Sequence, residues 1–256
     1  MIQKEFAERA ISVLRKDPDI VGLAVAGSWI SNDLDEYSDL DLVLVTKNKI
    51  AGDKEKMIAH AKRLGNFISG FTGEHVGEPR LLVCLFDEPL LHVDIKFITP
   101  EEFHDRVEDP VILFERDQEL TNIITKTKAH WPQPDLQWIE DRFWTWVHYI
   151  AGKAARGEYF ECIDGLGFLR AKVLAPMIQV RNKDLARGLR KVESKFSTDD
   201  LNSLRKTLSG HNKTGILAAL KETIQFYRSL RDSTNTGSLV RLEAAENAAI
   251  KYLDKI

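Results

Sequence analysis

The pair Gly27-Ser28 is followed after nine residues by Ser38-Asp39-Leu40-Asp41, and apolar runs flank both. Ile20 to Ala26 precedes the glycine and Leu42 to Val45 follows the second aspartate. A third acid, Asp94, sits inside another apolar run, Leu91-His92-Val93-Asp94-Ile95-Lys96-Phe97-Ile98. Carboxylates rarely enter buried strands unless something pairs with them. Side chains two apart on a strand share a face, so Asp39 and Asp41 project together while Leu40 and Leu42 turn into a core. Asp94 lies beside them if the two strands pair. The three acids read as a cage for divalent cations. Oxygen-only ligands suit Mg²⁺, which shares carboxylates with substrate phosphates and keeps waters. Two such ions, roughly 3.5–4 Å apart, could clamp the attacking and leaving oxygens of a phosphoryl displacement. Gly27 ends a strand at a tight turn, and Ser28 starts a helix whose free N–H groups and hydroxyl form an anion site.

The pattern apolar-Gly-Ser, nine residues, Ser-Asp-x-Asp-apolar, with a distal strand aspartate, resembles the DNA polymerase β-like nucleotidyltransferase superfamily. Within it the chain looks like the antibiotic adenylyltransferase branch, of the aminoglycoside and streptomycin type. The motif match covers roughly residues 20–100; the later half matches only in general character. The resemblance implies that Gly27 and Ser28 hold the β- and γ-phosphates and that Asp39 and Asp41 bind metal. It implies that Asp94 binds metal or accepts the proton of an attacking hydroxyl. By the same resemblance Glu161 and Asp164 contact a cationic substrate, and Arg170 or Lys172 meets the triphosphate. Against these stands the plainer reading of solvated charges on an amphipathic helix.

The implied fold is an α/β nucleotidyltransferase domain over residues 1–130, with a mixed sheet and flanking helices. An all-α helical bundle follows over 131–256, with the active site in the cleft between them. The linker is Trp131-Pro132-Gln133-Pro134. Charge divides the same way. Residues 1–130 carry 16 Lys and Arg against 24 Asp and Glu, a net of −8; residues 131–256 carry 20 against 15, a net of +5. An acidic half with metal and a basic half facing it would suit an anionic nucleotide; the plainer reading is that both are solvated surfaces.

Periodicity predicts a helix from Phe6 to Arg15, strands at Ile20–Ala26 and Ser38–Thr46, and a helix from Lys54 to Leu64 capped by Asp53. Gly70 to Pro79, with three glycines, reads as a mobile loop. Arg80–Phe86 and Leu91–Ile98 read as an antiparallel hairpin. Thr99-Pro100-Glu101-Glu102 carries a capping box, and Val111–Phe114 is a last short strand before a helix over 118–128. Beyond the linker, helices are expected at 135–156, 158–180, 184–191, 197–208, 213–230 and 239–253, with 232–237 a polar loop. Gly165, Gly167 and Pro176 should loosen the second of these.

Trp29 reads equally as a base-stacking or a core residue. Of Trp138, Trp144, Trp146 and His148, the pair Trp146 and His148 are the better candidates to face a ligand. His92 is expected to point away from Asp94. The basic run Arg181, Lys183, Arg187, Arg190, Lys191 could touch nucleic acid, although such runs are usually solvated. Zinc motifs, Walker and dinucleotide-binding loops and the Gly-x-Ser-x-Gly elbow are absent from the sequence. Cys84 and Cys162 read as buried thiols. No stretch reaches the length of a membrane span and no signal peptide is visible, so the cytoplasm is the expected location.

The expected activity is transfer of a nucleoside monophosphate, AMP from ATP, to a hydroxyl of a small molecule such as an antibiotic, releasing pyrophosphate. The alternatives are transfer to a protein or RNA, and a non-catalytic nucleotide- or partner-binding module.

Overall fold

A computed structural model of the chain describes residues 1–234, 237 and 239–256. It divides into two compact units, Met1–Trp131 and Pro132–Ile256.

The first unit runs α1 (Ile2–Leu14), β1 (Ile20–Val25), β2 (Leu40–Thr46), α2 (Lys54–Lys62), β3 (Asn66–Gly73), β4 (Glu78–Asp87), β5 (Leu91–Ile98), α3 (Pro100–Phe103), β6 (Val111–Glu115) and α4 (Glu119–Lys126). Among the described residues the strands form one six-stranded sheet in the order β3-β4-β5-β2-β1-β6. β2 and β5 pair in parallel, because α2 and the β3–β4 hairpin intervene between them; the other neighbours are antiparallel.

The two faces of the sheet are built differently. Leu23, Val25, Leu40, Leu42, Leu44, Val93, Ile95 and Phe97 meet Phe6, Ala10 and Leu14 of α1 and Met57 and Ala61 of α2. On the other face Val45 and Ile98 are covered by Phe103, Leu120 and Ile123, from α3 and α4. That face changes character along β2 and β5. Its positions at the other end are Asp41 and Asp94, where the alternation of buried and half-buried residues continues with carboxylates in place of aliphatic groups.

The hairpin, the strand at 111–115 and the Thr99/Glu102 capping box form as the sequence indicates; the box is reciprocal, with both hydrogen bonds made. Residues 70–79 are not a loop. Asn66–Gly73 is an edge strand on β4, and a single 3₁₀ turn, Glu74–Val76, closes it. The glycines suggested a loop, but cross-strand pairing decides the conformation.

The second unit contains α5 (Leu136–Ala155), α6 (Tyr159–Leu169), α7 (Ala175–Arg181), α8 (Val192–Lys195), α9 (Thr198–Lys206), α10 (Lys213–Thr234) and α11 (Glu243–Leu253). Its core gathers Phe143, Trp144, Val147, Ile150, Leu166, Ile178, Leu220, Ile224 and Tyr227. The expected bend in the second helix is a π-turn at Arg170–Leu174, just ahead of Pro176. A proline has no N–H to return to the preceding turn, and a widened turn absorbs the mismatch. Residues 184–191 are not helical. Positive φ at Lys183, Gly188 and Lys191 breaks the path, and the Gln179 amide bonds both the N–H and the C=O of Gly188. α10 continues through 232–234, where a loop was expected; positions 235 and 236 of that expected loop lie outside the described residues.

Candidate active site

The Gly27-Ser28 turn follows β1 directly. Gly27–Trp29 is one 3₁₀ turn in which Gly27 takes a left-handed backbone, φ 63°, and both Gly27 and Ser28 are buried. A Cβ placed on Gly27 would lie 1.9 Å from Asp41 Oδ2. The glycine is therefore required twice, by the backbone conformation and by the carboxylate packed against it. The Ala26 N–H donates to the Asp41 carbonyl at 2.9 Å, which fixes the turn beside β2.

Asp41 and Asp94 are register partners across the parallel pair, so their side chains leave the same face of adjacent strands. Both are half-buried. Asp39 lies just before β2. The loop leading to it is held by Gln3 of α1, whose fully buried side chain donates to Asp35 O at 3.0 Å and Ser38 O at 2.7 Å. Burial pushes the Asp94 carboxyl above its ordinary range. His92 opposes this by its charge and hydrogen bond, and the negative charge of Asp39 pushes upward again.

His92 corrects an expectation. Positions 92 and 94 are two apart on β5 and share a face, and His92 Nε2 lies 2.8 Å from Asp94 Oδ1. Two further groups complete the surroundings, the first with no local signal in the sequence and the second on the period of two that marks Asp94. Glu108, from the segment between α3 and β6, accepts the Gly27 N–H at 3.1 Å. Lys96, one step along β5 on the face of Asp94, pairs with Glu78 at 2.8 Å, and Arg80 grips the same carboxylate. Trp29 is half-buried and packs with the core under α1. It lines a cleft of about 280 Å³ with Lys4, Ile11, Leu34 and Leu113.

The donor set fits a hard divalent cation. It consists of carboxylate oxygens, two of them from residues in register, and at Asp94 burial and the charge of Asp39 resist ionisation, which a cation would relieve. Among the described residues no group of three His, Cys, Asp or Glu is gathered closely enough to hold a metal alone. A cation here would take its remaining oxygens from phosphates and water, which is the habit of Mg²⁺.

The residues expected to act from the second unit lie on α6 and the π-turn. Glu161 is exposed and accepts from Tyr149 Oη at 2.8 Å, and Asp164 is exposed. Arg170 is half-buried and donates to Thr207 O at 2.7 Å; burial pushes its guanidinium below the ordinary value. Lys172 is exposed. Trp144 is core, whereas Trp138, Trp146 and Phe168 form a row of ring contacts at 5.5 and 5.1 Å, with Trp138 and Phe168 about 40% exposed at 42% and 41%. His148 meets Tyr252 in a tilted ring contact at 4.5 Å. In the basic run, Arg181 is paired with Asp200 at 2.6 Å. Cys84 and Cys162 are buried free thiols. Among the described residues no helix is long and apolar enough to cross a membrane.

No family model and no curated protein matches the chain. Solved structures resemble it, among them the following three. An aminoglycoside 6-adenyltransferase from Bacillus subtilis is 15% identical, with 99% of this chain and 97% of that one covered at a TM-score of 0.42. A nucleotidyltransferase-like protein from Exiguobacterium sibiricum is 12% identical, covering 91% and 77% at 0.41. A spectinomycin adenyltransferase from Enterococcus faecialis, solved with ATP and spectinomycin, is 12% identical, covering 98% and 98% at 0.33.

Proposed function

We propose that the chain is a divalent-cation-dependent nucleotidyltransferase that moves AMP from ATP to a hydroxyl of a small molecule, with release of pyrophosphate. The observation that carries this reading is the in-register pair Asp41–Asp94, with Gly27 folded onto the Asp41 carboxylate and the charge of Asp39 felt at Asp94. Separate chain segments supply these groups, and buried strands do not concentrate like charges without a use for them.

In this reading Asp39, Asp41 and Asp94 hold Mg²⁺, which when bound supplies positive charge to the phosphates during transfer. Gly27 and Ser28 receive the β- and γ-phosphates at the turn. Asp94 would also accept the proton of the acceptor hydroxyl. Lys172 and Arg170 remain candidates for phosphate and Glu161 and Asp164 for a cationic acceptor.

The test is incubation of purified protein with Mg²⁺, α-labelled ATP and a panel of hydroxyl-bearing antibiotics. Label on a small molecule supports the proposal. Label on protein or added RNA moves the acceptor to a macromolecule. ATP binding without turnover points to a non-catalytic module. Asp41→Asn and Asp94→Asn should each lower transfer by about 10²–10⁴-fold with the fold retained; near-normal rates in both would remove the site.

A further inference from the structure

We infer that His92 is a positioning residue for Asp94, holding one carboxylate oxygen so that the other is presented to a cation; this rests on the function proposed above. The contact is a direct one, Nε2 to Oδ1 at 2.8 Å, between neighbours on the same face of β5. The hydrogen bond engages Oδ1, so Oδ2 is the oxygen it would present to a ligand.

The two residues differ in exposure. The His92 side chain is 47% exposed, whereas that of Asp94 is 19% exposed. The imidazole thus stands at the rim and reaches inward. An aspartate carboxylate is otherwise able to rotate about its last torsion, which is broad and two-fold. A partner on one oxygen removes that freedom. This is the role that groups behind a metal ligand commonly play, and losing one commonly weakens metal affinity by about 10–100-fold. The backbone does not need His92 for the strand itself. β5 is paired on both sides through its main chain, and the apolar residues at 91, 93, 95 and 97 anchor it in the core.

Mn²⁺ binding in the presence of a non-hydrolysable ATP analogue, followed by electron paramagnetic resonance, tests the inference without turnover. His92→Ala should weaken Mn²⁺ binding about tenfold, with an unchanged melting temperature. His92→Gln, whose amide can donate from about the same place as Nε2, should restore most of it. Asp41→Asn serves as the reference for the site. If Asp41→Asn weakens Mn²⁺ binding and His92→Ala does not, His92 has no positioning role and the site stands. If His92→Gln is as weak as His92→Ala, the hydrogen bond is not what matters and the inference fails. If Asp41→Asn leaves binding unchanged, the metal reading fails and the inference falls with it.

Discussion

The α-carbon of Gly27 lies against the carboxylate of Asp41, so closely that a methyl group there would overlap Oδ2 at 1.9 Å. This links the turn after β1 to the acid on β2 more tightly than a simple need for a flexible residue would. Gly27→Ala should therefore damage Asp41 even though alanine is small. The left-handed backbone alone costs an alanine about 1–2 kcal/mol, and displacing the carboxylate by about 1 Å should lower transfer about 10²-fold. Combining Gly27→Ala with Asp41→Ala removes the overlap. The pair should melt higher than the sum of its single changes predicts, yet stay inactive. Thermal melts and transfer rates on the four proteins check this, and strictly additive melting losses would mean the two residues are not coupled.

Glu108 makes a prediction of the opposite sign. Its carboxylate accepts the Gly27 N–H, at the turn assigned to the triphosphate. A phosphate using that N–H must displace an anion already there. Glu108→Ala should tighten binding of a non-hydrolysable ATP analogue with Mg²⁺ by a few-fold to about tenfold, the latter corresponding to about 1.4 kcal/mol. Calorimetric titration reads this directly. A weaker affinity would instead make Glu108 a brace that shapes the turn.

The acids of β2 and β5 were legible in the sequence because strand periodicity is local. Asp39-Leu40-Asp41 and Asp94 each announce themselves by interrupting an apolar run, and their pairing needed only the assumption that the strands meet. The groups around them were not legible. Glu108 reaches Gly27 across 81 positions of sequence and Gln3 reaches the loop before Asp39 across 32 and 35. Neither has a local signature, since any Glu or Gln reads as surface. The edge strand β3 was hidden by its glycines, and its conformation comes from β4. His92 is a different case: a period of two already places it on the face of Asp94, so its partner was available from the sequence.

Glu78 yields a pH prediction. Burial pushes its carboxyl up, but hydrogen bonds from Arg80 and Lys96, at 2.7 and 2.8 Å, overcome this and hold it at about 2. The folded value lies below the unfolded value of about 4.5. Stability from this carboxylate is thus fully present above about pH 4.5 and is lost as pH falls toward 2. The shift corresponds to at most about 3 kcal/mol, and because the side chain is 24% exposed, screening brings the expected effect to about 1–2 kcal/mol. Glu78→Gln should be less stable than the parent at pH 7, and the gap in urea midpoints should narrow between pH 5 and 3. A gap that stays constant over that range would mean that Glu78 is not held at a depressed value.

The largest single loss of stability should come from Glu140, far in sequence from any candidate site residue of the first unit. It is fully buried on α5 and takes four kinds of donor. Trp144 Nε1 and the Leu242 N–H reach Oε1 at 3.2 and 3.0 Å, Tyr227 Oη bonds Oε2, and Arg231 Nη1 lies 3.2 and 3.3 Å from the two oxygens. Burial pushes the carboxyl up, and these partners together, led by the Tyr227 hydroxyl, pull it below the ordinary value. The group thus joins α5, α10 and the segment leading into α11. Arg231 also bonds Glu246 at 2.8 Å, so removing Glu140 does not strip the guanidinium of every counter-charge. Glu140→Ala leaves a buried hydroxyl, an indole N–H and the Leu242 N–H without their acceptor and Arg231 with Glu246 in place of two counter-charges, and a loss of about 3–5 kcal/mol follows. Tyr227→Phe removes one donor and leaves the carboxylate its other partners, so about 1–3 kcal/mol is expected. Glu140→Gln should fall between, because the amide keeps the shape but loses the charge and turns an acceptor into a donor facing Tyr227 or Arg231. Urea denaturation of the three variants fixes the order. If Tyr227→Phe were as damaging as Glu140→Ala, the stabilisation would reside in the Tyr227–Glu140 bond alone and not in the four-way network.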